Sequence, residues 1–240
     1  ARLSGGDLRA FMIVMVMGLS AYITISGPLA YLRIWIFGAG MPALKTPSIP
    51  TAVSTASGLS VSVIGATIGL AFIIISLASA TMWRSKDSVL WGAVVGLAIT
   101  SGWVGTQWMA SNGFEGLPVV SHTFSAPIGE SLLYLMTASG TSVSFATGSV
   151  SGVLIGSLLG SLINGHFRWE ACDDQRELRR QIFGAAAMGV GSVSALGCSI
   201  GQGLSAFSVL AYSAPVTLFC IMLGAGIGLR QLIHGFRTIG

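Results

Sequence analysis

"ALGCSIGQGLSAFS", residues 195–208, separates two apolar runs, 182–196 and 214–229. Gly197, Gly201 and Gly203 surround one thiol, Cys198, and one amide, Gln202. Glycine loses the most backbone freedom on ordering and is the residue that tolerates dihedrals foreign to a helix. The stretch therefore predicts an interruption inside an otherwise helical, apolar segment, and the fold follows from where such an interruption can exist.

The rest of the chain supplies the setting. Of 240 residues, 52% are hydrophobic and 8% charged, with a mean hydropathy of +0.80. Soluble domains carry about 25% charged residues, so this chain cannot face water on all sides and is predicted to be an integral membrane protein. Transmembrane β-barrels alternate in segments of about ten residues. The runs here are longer and continuously apolar, at 10–26, 59–80, 88–108, 143–164, 182–196 and 214–229, so the predicted class is an all-α, polytopic helical bundle. The net charge of +4 reports orientation rather than nucleic-acid binding, because Lys and Arg accumulate on cytoplasmic loops. The 33 glycines exceed what loops need and suit close helix packing and irregular backbone around a cavity.

Sidedness follows from the basic residues. Arg84 and Lys86 follow the second run, Arg168, Arg176, Arg179 and Arg180 the fourth, and Arg230 and Arg237 the last, whereas 109–123 has no Lys or Arg. These charges place 81–87, 165–181 and the C-terminus in the cytoplasm and 109–123 outside. Run 88–108 then leads outward and run 143–164 returns, so 124–139, with Pro127 and Glu130, is predicted to be re-entrant or interfacial. By the same parity, 182–213 crosses outward with the Gly-Cys stretch as its break. The connection 27–58 is expected to begin as an interfacial helix and to end as loop at Pro42, Pro47 and Pro50.

An internal echo adds a repeat. "RLSGGDLRAFMIVMVMGLSAYI" at 2–23 and "GLSAFSVLAYSAPVTLFCIMLGAGIG" at 203–228 each lead from Leu-Ser into one spanning run, and the two runs cross in opposite directions. That is the mark of an inverted-topology repeat with broken helices meeting at a midplane site. The later copy has a Gly-Cys element before its Leu-Ser. The corresponding element of the earlier copy would precede Ala1, so the expectation is an N-terminally truncated single transmembrane domain over 1–240. In that division 1–108 is the remainder of a first repeat with connecting helices and 109–240 is the second repeat.

The break itself has a chemistry. An interrupted helix exposes backbone N–H groups at its new N-terminus, where partial positive charge attracts anions without any Lys or Arg. Cys198 adds a polarizable thiol, Gln202 an amide, and Ser199 and Ser205 hydroxyls. Gly197, Gly201 and Gly203 let a ligand reach the backbone. Together the seven residues suit a small anion, particularly one containing sulfur. The alternative is that the glycines serve packing alone and Cys198 is a small apolar filler. An amide in lipid, however, is costly unless it faces a cavity or a partner.

The stretch 167–229 resembles the C-terminal half of the YeeE/YedE family of sulfur-compound transporters, which includes thiosulfate uptake proteins and SoxT-like members. The resemblance rests on the Gly-Cys-Ser-Ile-Gly-Gln-Gly-Leu-Ser run at 197–205, and "RLSGGDLRAF", "GPLAYLR", "PIGESLLYLMT" and "TGSVSGVLIGSLLGSLINGHFRWE" are also similar to the family. It implies an hourglass-like inverted repeat with a central cysteine from each half contacting a passing sulfur anion. Carried over by residue, Cys198 is the second-half cysteine. The first-half Gly-Gly-Cys motif is not among these 240 residues.

The remaining residues carry weaker signals. Glu130 and Arg33 are candidate access or gating residues. His122 reads as a loop residue, and His166 and His234 as interfacial. Cys220 reads as apolar packing, and Cys172 as a loop thiol in a segment, 166–181, that could meet a soluble sulfur-carrier protein or anchor at lipid headgroups. The cysteine spacing fits no metal site or disulfide framework, and no cofactor is expected. The leading function is an inner-membrane transporter or facilitator for thiosulfate or a related anion rather than an enzyme. A membrane sulfurtransferase carrying a persulfide on Cys198 and a non-transporting subunit of a complex remain the alternatives.

Overall fold

The structure is a computed structural model that describes residues 5–38, 48–78, 86–113, 118–140, 142–165, 167–169 and 175–235. Lys45, Arg84, His166, Cys172 and Arg237, with the prolines at 42 and 47, lie outside the described residues. The helices in chain order are α1 (Leu8–Ser26), α2 (Leu29–Gly38), α3 (Ile49–Ser57), α4 (Val61–Ala78), α5 (Lys86–Ser111), α6 (Ser125–Thr137), α7 (Phe145–Ile163), α8 (Gln175–Ser194) and α9 (Ser213–Gly235). A π-helical turn, Gly201–Ala206, precedes α9.

Among the described residues, α1, α4, α5, α7 and most of α9 are long and apolar enough to cross a bilayer. Their outer faces carry Phe72, Ile75, Leu97, Leu159 and Phe219, all exposed. Such surfaces suit hydrocarbon and would be untenable in water. The chain is an all-α, multi-pass membrane protein. The sixth expected crossing is not one helix. α8 starts with charged turns around Glu177, Arg179 and Arg180, and it ends at Ser194, before the chain turns helical again over 199–208.

The connection 27–58 corrects one expectation. Its second part is not all loop, because 49–57 forms α3 with Pro50 in the first turn. Proline is tolerated there, where its missing N–H has no intrahelical acceptor to lose. The Ser48 N–H donates to Thr51 Oγ1 at 3.3 Å, which secures the start.

The chain divides into two compact units, each built from two separated segments. The first comprises 1–42 and 122–200, and the second 43–121 and 201–240. In the first unit α1 packs on α8 and α6, with α7 against α6 and α2 against α1. Small residues set these contacts. A Cβ at Gly129 would lie 2.6 Å from the Gly18 carbonyl oxygen and 3.0 Å from Tyr22 Cβ, while one at Gly18 would lie 2.6 Å from Ile128 Cγ2. On the other side of α1, a Cβ at Gly189 of α8 would collide with Ser20 Oγ and lie 2.6 Å from the Met17 carbonyl oxygen. Ala21, between these approaches, is fully buried. Without a hydrophobic drive between helices in lipid, such backbone proximity is what holds them together.

The second unit contains α3, α4, α5, the π-helical turn and α9, with α9 packed on the turn and α3 on α4. Phe72 of α4 meets Phe207 edge to face, with ring centroids 5.7 Å apart. The segment 118–121 is tied to α5. The Val120 N–H donates to Thr106 Oγ1 (3.2 Å), and Ser121 Oγ donates to the Ile99 carbonyl (2.8 Å). Ser48 and Ala211 form an isolated antiparallel bridge, and the Ile49 N–H donates to the Leu210 carbonyl at 3.0 Å.

Candidate functional site

The break in 195–208 is made by a hydrogen-bonded stop. At the end of α8 the Gly197 N–H donates to the Ser192 carbonyl (2.8 Å) and the Leu196 N–H to the Val193 carbonyl (3.1 Å). This pair of bonds is a Schellman motif, in which the first of the two donors along the chain is left-handed. That residue is Leu196, at φ 59°, where glycine is usual. The same pair recurs after the π-helical turn, from Ala211 to Ala206 (3.1 Å) and from Leu210 to Phe207 (2.9 Å), with Leu210 at φ 53°. The stretch 199–208 is thus framed by two C-terminal stops, each with a leucine in the strained position. Leu196 is 69% exposed and has little packing to lose. Leu196→Gly is therefore expected to raise stability by about 0.5–1 kcal/mol, seen as a higher Tm in detergent.

In the first unit the break presents Cys198, half-buried and in non-helical backbone, followed by Ser199, which is exposed. Cys198 Sγ lies 3.9 Å from Thr123 Oγ1. The loop that carries Thr123 is anchored on α7. His122 Nδ1 is 2.6 Å from Ser149 Oγ, and its ring lies 5.3 Å from that of Phe145. The sequence marks His122 as a loop residue and does not single out Thr123. The only signal was their place just before a short Pro-containing helix. Glu130 lies on the exposed side of α6, and Arg33 is half-exposed on α2.

In the second unit the motif continues as the π-helical turn, with Gly201, Gln202 and Ser205 buried. Gln202 is 4% exposed, and Ser213 Oγ donates to its Oε1 at 3.3 Å. Ser208 Oγ donates to the Ser205 carbonyl (2.7 Å) and accepts from Trp103 Nε1 (3.1 Å). A Cβ at Gly203 would press Leu218 Cδ1 at 3.1 Å. π-Helical turns concentrate at functional sites because the wider turn leaves backbone groups to spare. The boundary between the units falls between Ile200 and Gly201. Gly197, Cys198 and Ser199 therefore belong to the first unit, and Gly201, Gln202, Gly203 and Ser205 to the second.

Cys220 is exposed on α9, facing outward from its unit. Among the described residues no group of three His, Cys, Asp or Glu side chains is arranged to hold a metal ion.

The family model described as "Sulphur transport" matches residues 1–227, and the chain belongs to that family, the YeeE/YedE group. It is also similar to the thiosulfate transporter TsuA of Escherichia coli (strain K12), with 29% identity over 100 residues. That alignment covers 42% of this chain and 28% of the length of TsuA.

Proposed function

We propose that the chain passes thiosulfate or a related small sulfur-containing anion across the bacterial cytoplasmic membrane, with Cys198 contacting the anion at the helix break. One observation carries the reading: a half-buried thiol at a hydrogen-bonded helix stop, 3.9 Å from a threonine hydroxyl, in a member of a sulphur transport family. The thiol is a weak donor and a soft, polarizable partner for a terminal sulfur. Neutral donors suit conduction, because a strongly charged site would hold the anion too tightly to release it. Gly197 and Ser199 in the first unit, and Gly201, Gln202, Gly203 and Ser205 in the second, each offer backbone N–H groups, hydroxyls or an amide to an anion. Glu130 and Arg33 act at its access.

The distribution of Lys and Arg supports a cytoplasmic C-terminus. The segment 166–181 then lies on the side where a soluble sulfur carrier could receive the cargo. Radiolabelled thiosulfate uptake into proteoliposomes containing the purified chain tests the proposal. Uptake above that of protein-free vesicles, saturable and competed by unlabelled thiosulfate, is expected. Uptake equal to that of empty vesicles defeats it.

A further inference from the structure

The starts of α1 and α7 are closed by their own side chains. Asp7 Oδ1 accepts from the Arg9 N–H at 2.9 Å, and Ser144 Oγ accepts from the Thr147 N–H at 3.2 Å. α6 differs. Its N-cap residue is Phe124, which has no side-chain acceptor to offer, and its first backbone bond runs from the Ile128 N–H to the Phe124 carbonyl at 3.0 Å. The N–H groups of Ser125 and Ala126 therefore have no intrahelical acceptor, and Pro127 has no N–H at all. A second observation falls at the same place. Ser125 is 3% exposed, and its Oγ has no hydrogen-bond partner among the described residues. In a helix each Cα–Cβ bond tilts toward the N-terminus, so this hydroxyl sits at the same end as the unpaired N–H groups. A buried hydroxyl without a partner is costly in a folded protein and asks for an acceptor.

We propose that the first turn of α6 is an oxyanion subsite, formed by Ser125 Oγ and the N–H groups of Ser125 and Ala126. It takes the oxygen end of a tetrahedral sulfur oxyanion. Thr123, whose hydroxyl lies 3.9 Å from Cys198 Sγ, precedes Ser125 by two residues. Two residues of chain span at most about 7 Å, so the subsite lies on the same stretch of the first unit as the threonine that meets the thiol. The division of labour follows the chemistry of thiosulfate: a soft terminal sulfur for the soft thiol, hard oxygens for N–H and O–H donors and the positive end of a helix. Glu130, the acid of α6, lies five positions on from Ser125, which is about 140° around the helix axis, and so stands away from the subsite. The inference rests on the transport reading above and adds a second contact point to it.

The test is thiosulfate uptake by the full chain in proteoliposomes, comparing wild type with Ser125→Ala, Cys198→Ala and Ser161→Ala. Ser161 of α7 carries another hydroxyl without a partner among the described residues and serves as the control. Ser125→Ala is expected to raise the KM for thiosulfate by about tenfold, the usual effect of losing one hydrogen bond to a charged ligand. Its ligand-free Tm should be unchanged or higher, since the variant removes an unsatisfied group, and Ser161→Ala should match wild type. A KM within twofold of wild type in Ser125→Ala, with uptake still reduced by Cys198→Ala, overturns the subsite and leaves the transport reading standing. An equal rise in both serine variants also overturns it. Absence of wild-type uptake overturns the transport reading and the subsite together.

Discussion

Replacing Cys198 by alanine is expected to lower thiosulfate uptake by about ten- to a hundredfold, which corresponds to one lost contact to a charged ligand. The structure keeps this effect separate from misfolding. Cys198 is half-buried in non-helical backbone, and the stop that precedes it is held by the main-chain bonds of Leu196 and Gly197. Neither bond uses the thiol, so the variant should retain the wild-type Tm to within a few degrees. Cys220→Ala is the matched control. That thiol is exposed on α9, and its loss should leave uptake unchanged. Retained uptake in Cys198→Ala, measured at a substrate concentration below KM, removes the thiol from the mechanism.

The second large effect concerns the scaffold. Gly129→Val is expected to cost about 3 kcal/mol or more, at the upper end of what overpacking does. Even the first added carbon meets the Gly18 carbonyl oxygen at 2.6 Å and Tyr22 Cβ at 3.0 Å. Neither is the mobile tip of a side chain, so relief requires moving α1 away from α6. α1 is clamped on its other side by Gly189, and it cannot yield without breaking that approach too. Loss of monodisperse protein after detergent extraction is the expected readout. Gly152→Val on α7 is the control, because a Cβ there meets nothing within 4 Å. If Gly129→Val extracts and melts like that control, the close crossing of α1 and α6 is not what holds the first unit.

The long elements could be read from the chain because apolar runs and their polar ends are local properties. The run expected at 88–108 is α5, Lys86–Ser111, and the run at 143–164 is α7, Phe145–Ile163. The short segment 124–139 emerges as the 13-residue α6. The break at 195–208 was equally visible, since three glycines around a thiol and an amide cannot continue an ordinary helix. Three features were hidden. α3 was masked by Pro50, whose effect depends on whether it falls in the first turn or the interior of a helix. The left-handed residues of the two stops are leucines, so glycine, the usual cue, does not mark them. The third is Thr123, which reaches Cys198 across 75 positions of sequence. Contacts of that range depend on how helices pack, and no local pattern encodes them.

The pairing of α1 with α8 also sets a timetable for biosynthesis. Met17 and Gly189, which approach at backbone distance, are about 170 positions apart, so at ribosomal speeds of about 5–20 residues per second α1 waits roughly 10–35 s for that neighbour. During the wait the face that α8 will cover, around Met17, Ser20 and Ala21, has only lipid or the insertion machinery to lean on. Slower elongation through the segments between them prolongs the exposure. Synonymous codon changes there should therefore raise the fraction of nascent chains captured by membrane quality control while leaving the finished protein unaltered.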